Sequence, residues 1–148
     1  MNTLPILALL AGSAIAIQAG MNAHLGDLLK NTMFSALVAF VFSALFILGV
    51  MFVSNNHFPS GATLKSIPIY LWFSGVLSAF GVALFYYLIP KMGLSPMMSF
   101  ALTAQIIVAL IVSHFGWFDL PVKQVDFQKL VGVIFLISGI VLVNWSTK

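Results

Sequence analysis

Gln18 and Asn22 stand four residues apart in the run Gly12 to Leu25, GSAIAIQAGMNAHL, which is otherwise apolar enough to enter a bilayer. On a helix that spacing puts both amides on one stripe. Hydrocarbon offers them no hydrogen-bond partner, so they must face protein, water or a ligand. Two roles fit: hydrogen bonds that hold neighbouring helices together, or contact with a bound solute. Gln105 raises the same choice near the middle of another apolar stretch, which also carries Ser99 and Thr103. Gln18, Asn22, Ser99, Thr103 and Gln105 are therefore the candidates for lining a neutral, hydrogen-bonding cavity. Tyr86 and Tyr87 could close one mouth of it, although an interfacial aromatic belt explains them more simply.

The titratable inventory narrows the chemistry further. A buried acid that exchanges a proton for an organic cation would have to lie inside a span. Asp27, Asp119 and Asp126 instead fall at span ends or in loops, where solvated charges belong. His24 and His114, each at the end of an apolar stretch, remain as possible proton-linked groups, since histidine changes charge near neutral pH. Paired intramembrane aspartates and an H-E-x-x-H helix are both absent, which argues against an enzyme. A channel is harder to exclude, because a polar lining of Gln and Asn would suit it too, although the sequence has no charged ring or filter-like glycine-rich loop. The chain has no cysteine, and nothing in its pattern implies a metal or a cofactor.

These residues sit in an all-α, polytopic membrane protein. Of 148 residues 61% are hydrophobic and 6% charged, with a mean hydropathy of +1.13, far from the roughly one-quarter charged of soluble domains. Five stretches are long enough to cross a bilayer as helices: residues 4–25, 33–53, 67–89, 96–115 and 129–145. They are read as one five-helix transmembrane domain over residues 1–148. The loop at 54–66 carries His57, Pro59, Gly61 and Lys65, and Pro68 suits the first turn of the third span. Pro90, Lys91 and Gly93 should break that span, and Ser95 before Pro96 reads as the cap of the fourth. A removable signal peptide is disfavoured, because the leading segment lacks Lys or Arg and the apolar run continues past any cleavage point. Small residues at Ala8, Gly12, Ala16 and Gly20 form a smooth stripe on span one, and Gly75, Ala79 and Ala83 form another on span three. Both are expected helix-packing faces.

Five spans place the two termini on opposite sides. Lys65, Lys123 and Lys129 then share the side of the N-terminus, against Lys30, Lys91 and Lys148 on the other. Cytoplasmic loops normally hold the excess of lysine and arginine, so this three-to-three balance, with at most the terminal amino group to tip it, fixes no orientation. Either the chain inserts both ways and assembles as an antiparallel pair, or a partner or local signal chooses for it. In an antiparallel pair His24 and His114 of opposite copies would share a side. The scattered lysines form no nucleic-acid patch, so the partners expected are the lipid bilayer, a second copy or paralogous chain, and a small-molecule substrate.

The run Gln18-Ala19-Gly20-Met21-Asn22-Ala23-His24-Leu25-Gly26, with Phe40, Pro90-Lys91-Met92-Gly93, Ala104-Gln105, His114-Phe115-Gly116, Gly132 and Gly139, resembles the YdcZ-like family. This is a five-span branch of the drug/metabolite transporter superfamily. The resemblance implies a multi-pass protein of the bacterial inner membrane, built from two five-helix units in opposite orientation, as a homodimer, a pair of chains or one fused chain. It also implies transport of a small organic solute or metabolite by alternating access. Relatives tend to have Gly where Ala104 stands and Asp where Ser113 stands, so no acid is available at that helix end to handle protons. The rival is a non-transporting scaffold or accessory subunit, in which the amides serve assembly alone.

Overall fold

A computed structural model describes residues 3–54, 56 and 58–145. His57, Lys148 and the terminal amino group, which entered the loop and charge readings, lie outside the described residues. The described chain is all helical, with five helical segments long and apolar enough to cross a membrane: Leu4–Leu28, Thr32–Val53, Ile69–Met92, Leu94–Phe115 and Phe127–Trp145. Backbone contacts divide it into two compact units, Met1–Lys91 and Met92–Lys148.

In the first unit, α1 (Leu4–Leu28) and α2 (Thr32–Val53) form a hairpin. Lys30 turns the chain with a φ of 53°, and Asn31 caps α2 by accepting the Phe34 N–H at 3.0 Å. Asn31 thus opens the second helix. Two short helices follow, α3 (Gly61–Ser66), capped by Ser60, and α4 (Ile69–Trp72). α3 lies in what the sequence presents as loop, because the Ser60 hydroxyl satisfies a first-turn N–H that glycine and proline nearby would otherwise leave to solvent.

After an interruption at Phe73, α5 (Ser74–Met92) completes the third crossing. Pro90 lies inside α5 and does not break it. It falls in the last turn, where its missing N–H leaves only the Tyr86 carbonyl short of a helical donor, and the helix runs on for two more residues. The break comes at Gly93, whose φ of 89° suits glycine alone.

The first unit is held along one side of α1. Ala19, Ala23 and Gly26 are buried there, as are Ser35 and Ala36 on α2 and Ala83, Tyr86 and Ile89 on α5. Gly26 suits this approach: a Cβ there would lie 3.3 Å from both the Ser35 Cβ and the Thr32 Cα, tighter than ordinary van der Waals contact. Within this unit the closest packing therefore runs through 19, 23 and 26, turned by about 50° from the mean direction of the stripe expected from Gly12, Ala16 and Gly20. Ala16 and Gly20 are half-buried, while Gly12 and Gly75 have no atom within 4 Å of where a Cβ would sit. Ala79 is exposed beside a groove, and Ala83 is buried.

In the second unit, α6 (Leu94–Phe115) packs on α7 (Phe127–Trp145). Gly93 occupies the capping position of α6, so Ser95 and Pro96 lie within its first turn instead of starting it. Pro96 costs nothing there, because first-turn N–H groups have no partner within the helix. α6 ends on Gly116, with a φ of 63°, and a Cβ at that position would come within 2.7 Å of the Val122 side chain. A single tight turn over Trp117–Asp119 follows, and Asp126 then caps α7 by accepting the Lys129 N–H at 2.8 Å. The outward faces of the long helices are dense in Leu, Ile, Val and Phe, as lipid contact demands.

Candidate functional site

The polar groups of the first unit converge on α1. The Gln18 side chain donates from Nε2 to the Tyr86 hydroxyl of α5 at 2.6 Å. One turn on, Asn22 donates from Nδ2 to the Gln18 carbonyl at 3.0 Å. Ser35, fully buried on α2, donates to the Asn22 carbonyl. A single polar seam thus links α2 through α1 to α5. It forms because the amides at 18 and 22 lie on adjacent turns, while the small residues 19, 23 and 26 let α2 come close enough for a serine to reach the α1 backbone.

Beside the seam, α1 lines an open apolar groove of about 730 Å³. Its walls include Ile17, Met21 and Leu25, and its polar groups are Gln18, Asn22 and His24. Gln18 and His24 are exposed and Asn22 is half-buried, so all three remain reachable from the groove. The volume falls within the range of small-molecule sites, and every residue along it belongs to α1, so one helix supplies one wall.

The second unit holds a separate polar pair. Asn144 of α7 donates from Nδ2 to the Ser99 hydroxyl of α6 at 3.0 Å and to the Ile140 carbonyl at 2.8 Å. Ser99 donates to the Pro96 carbonyl at 2.8 Å, and Thr103 donates to the Ser99 carbonyl at 2.9 Å. Gln105 is exposed on α6, outside this pair. His114 accepts the Val125 N–H on Nδ1 at 3.1 Å, and the Ser113 carbonyl accepts the Lys123 N–H at 2.9 Å. These two contacts fold the 116–126 loop back onto the end of α6. A histidine accepting at Nδ1 carries its proton on Nε2.

Of the candidates drawn from the sequence, Gln18 and Asn22 meet in the first unit beside His24, and Ser99 meets Thr103 in the second. Ser35 and Asn144 were not among them, and Tyr86 was weighed only together with Tyr87, as the mouth of a cavity or part of an interfacial belt. Asn144 carries the same signal that singled out Gln18, an amide within an apolar span. Tyr86 was hidden by its neighbour Tyr87 and by Pro90, which together imitate an interfacial belt, and Ser35 by its place among span-end residues.

Residues 3–142 match the family described as "Putative inner membrane exporter, YdcZ". That description agrees with a membrane transport role and with a multi-pass location in the inner membrane. No curated protein and no solved structure matches the chain. With the match running from the start of the first span nearly to the end of the fifth, the chain belongs to the YdcZ family.

Proposed function

We propose that this chain, paired with an oppositely oriented copy or paralogue, moves a small organic solute by alternating access. In this reading its two units act together as one five-helix half. The α1 groove is the first unit's share of the path, with Gln18 and Asn22 as solute contacts and His24 as the proton-responsive group. Gln105, exposed on α6, is the second unit's contact. The observation that carries the reading is the groove itself, about 730 Å³ of apolar wall interrupted by two amides and an imidazole. Family membership supports transport, and the balanced lysines support the inverted pair. Sites in inverted-repeat transporters lie near the bilayer midplane, where amides can satisfy a neutral solute without a fixed charge.

An accessory, non-transporting role is the competing reading. It is favoured by the hydrogen bonds that Gln18 and Asn22 already make within the chain. Efflux from liposomes separates the two. Vesicles containing the purified protein and loaded with a bacterial metabolite extract should release a restricted set of solutes, read by mass spectrometry, that protein-free vesicles retain. Gln105→Leu should lower that release at least tenfold at unchanged helix content and pairing. Release no faster than from empty vesicles, by folded and paired protein, would remove the transport reading and leave the accessory role.

A further inference from the structure

The first unit carries a second groove, of about 370 Å³, lined by α5 and the start of α2. Val76, Ala79, Ala83 and Tyr87 run along it at helical spacing, and Thr32 and Met33 of α2 close one end. The floor is apolar throughout. From Val76 to Tyr87 it extends about 16 Å at the rise of an α-helix, which is close to half of the roughly 30 Å hydrocarbon core. That is the depth of one leaflet. A transmembrane helix docked here would need a seam twice as long, yet α5 begins only two residues before Val76, after the interruption at Phe73.

The Tyr87 end is charged. Lys91 donates from Nζ to the Tyr87 hydroxyl at 2.7 Å, with the ammonium 3.9 Å from the ring centroid. Tyr87 thus holds the cation over the mouth of the groove, and two of the three ammonium donors remain for another partner. Lys30, two positions before Thr32, adds a second cation at the α2 end, opposed by Asp27 alone among the acids of that hairpin turn. An apolar channel one leaflet deep, ending at a positive interfacial rim, has the shape and charge order of a phospholipid.

From this we infer that the α5 groove is a site for one anionic phospholipid, with an acyl chain along Val76 to Ala83 and its phosphate at Lys91. The inference is independent of the transport reading. Native mass spectrometry of the purified protein tests it, with phosphatidylglycerol and phosphatidylcholine of identical chains added in parallel. Wild-type protein should retain phosphatidylglycerol about fivefold better, the increment expected from one interfacial lysine. Lys91→Gln should abolish that preference while keeping adducts of both lipids. Ala79→Trp, which fills the groove, should remove the adducts, and Val76→Trp serves the same purpose should the first variant lose helix content. Equal retention of the two lipids by wild-type protein, or a preference that survives Lys91→Gln, would overturn the site. Loss of dimer mass in Ala79→Trp with lipid adducts intact would overturn it too, and assign the groove to a second copy.

Discussion

The Gln18 amide and the Tyr86 hydroxyl are 68 positions apart in sequence and 2.6 Å apart in space, so one bond ties α1 to α5. A side-chain hydrogen bond between membrane helices is worth about 1 kcal/mol. Tyr86→Phe, which keeps the ring and removes the oxygen, should therefore lower stability in a reversible detergent unfolding assay by about that amount. The double variant Gln18→Leu with Tyr86→Phe should cost less than the two single changes added together, since both remove one interaction. Strict additivity would show that the two side chains do not support each other. At this scale the sequence exposed half of the contact: an amide in a bilayer announces a need for a partner but cannot say which helix supplies it. The Ser99 to Asn144 pair in the second unit repeats the lesson, with Ser99 legible as a polar group and its partner not singled out.

At the level of the helices, spans were easy to read and their faces were not. Length and hydropathy place the crossings to within a few residues, because a bilayer demands about 20 apolar residues whatever surrounds them. Which small residues form the seam depends on a rotation of only about 50°, and on how far along α1 the neighbouring helix stays close. Helix starts and stops were misjudged where single residues decide them, at Pro90 and Ser95, since a proline is harmless in a first turn and tolerated in a last one, while Gly93 breaks the helix as expected. The two stripes of α1 can be separated by substitution. Gly26→Val should force α1 and α2 apart and destabilise the protein by about 1–3 kcal/mol, because one of the atoms it meets is backbone and cannot turn away. Gly12→Val should leave unfolding nearly unchanged, as it projects into open space. If Gly12→Val weakens self-association in cross-linking while Gly26→Val does not, the outer stripe is a face for a second copy.

For the whole chain, the informative quantity is the distribution of six lysines over two sides, which no helix determines by itself. Fusions of the C-terminus to a reporter active only in the cytoplasm, and separately to one active only outside it, should both give signal. Signal from one reporter alone would mean that orientation is set by something other than loop charge, and would end the homodimeric form of the inverted pair. Orientation statistics and family resemblance were available from the sequence; the polar seam of the first unit and the groove on α5 were not, because each depends on which side chains of different helices come together. Pro90 brings these observations to a mechanical point. By withholding its N–H from the Tyr86 carbonyl, it softens the last turn of α5 at the very residue whose hydroxyl secures α1. Hinge and latch share one tyrosine: the residue whose carbonyl lacks a helical donor is the one whose hydroxyl meets Gln18 at the wall of the α1 groove.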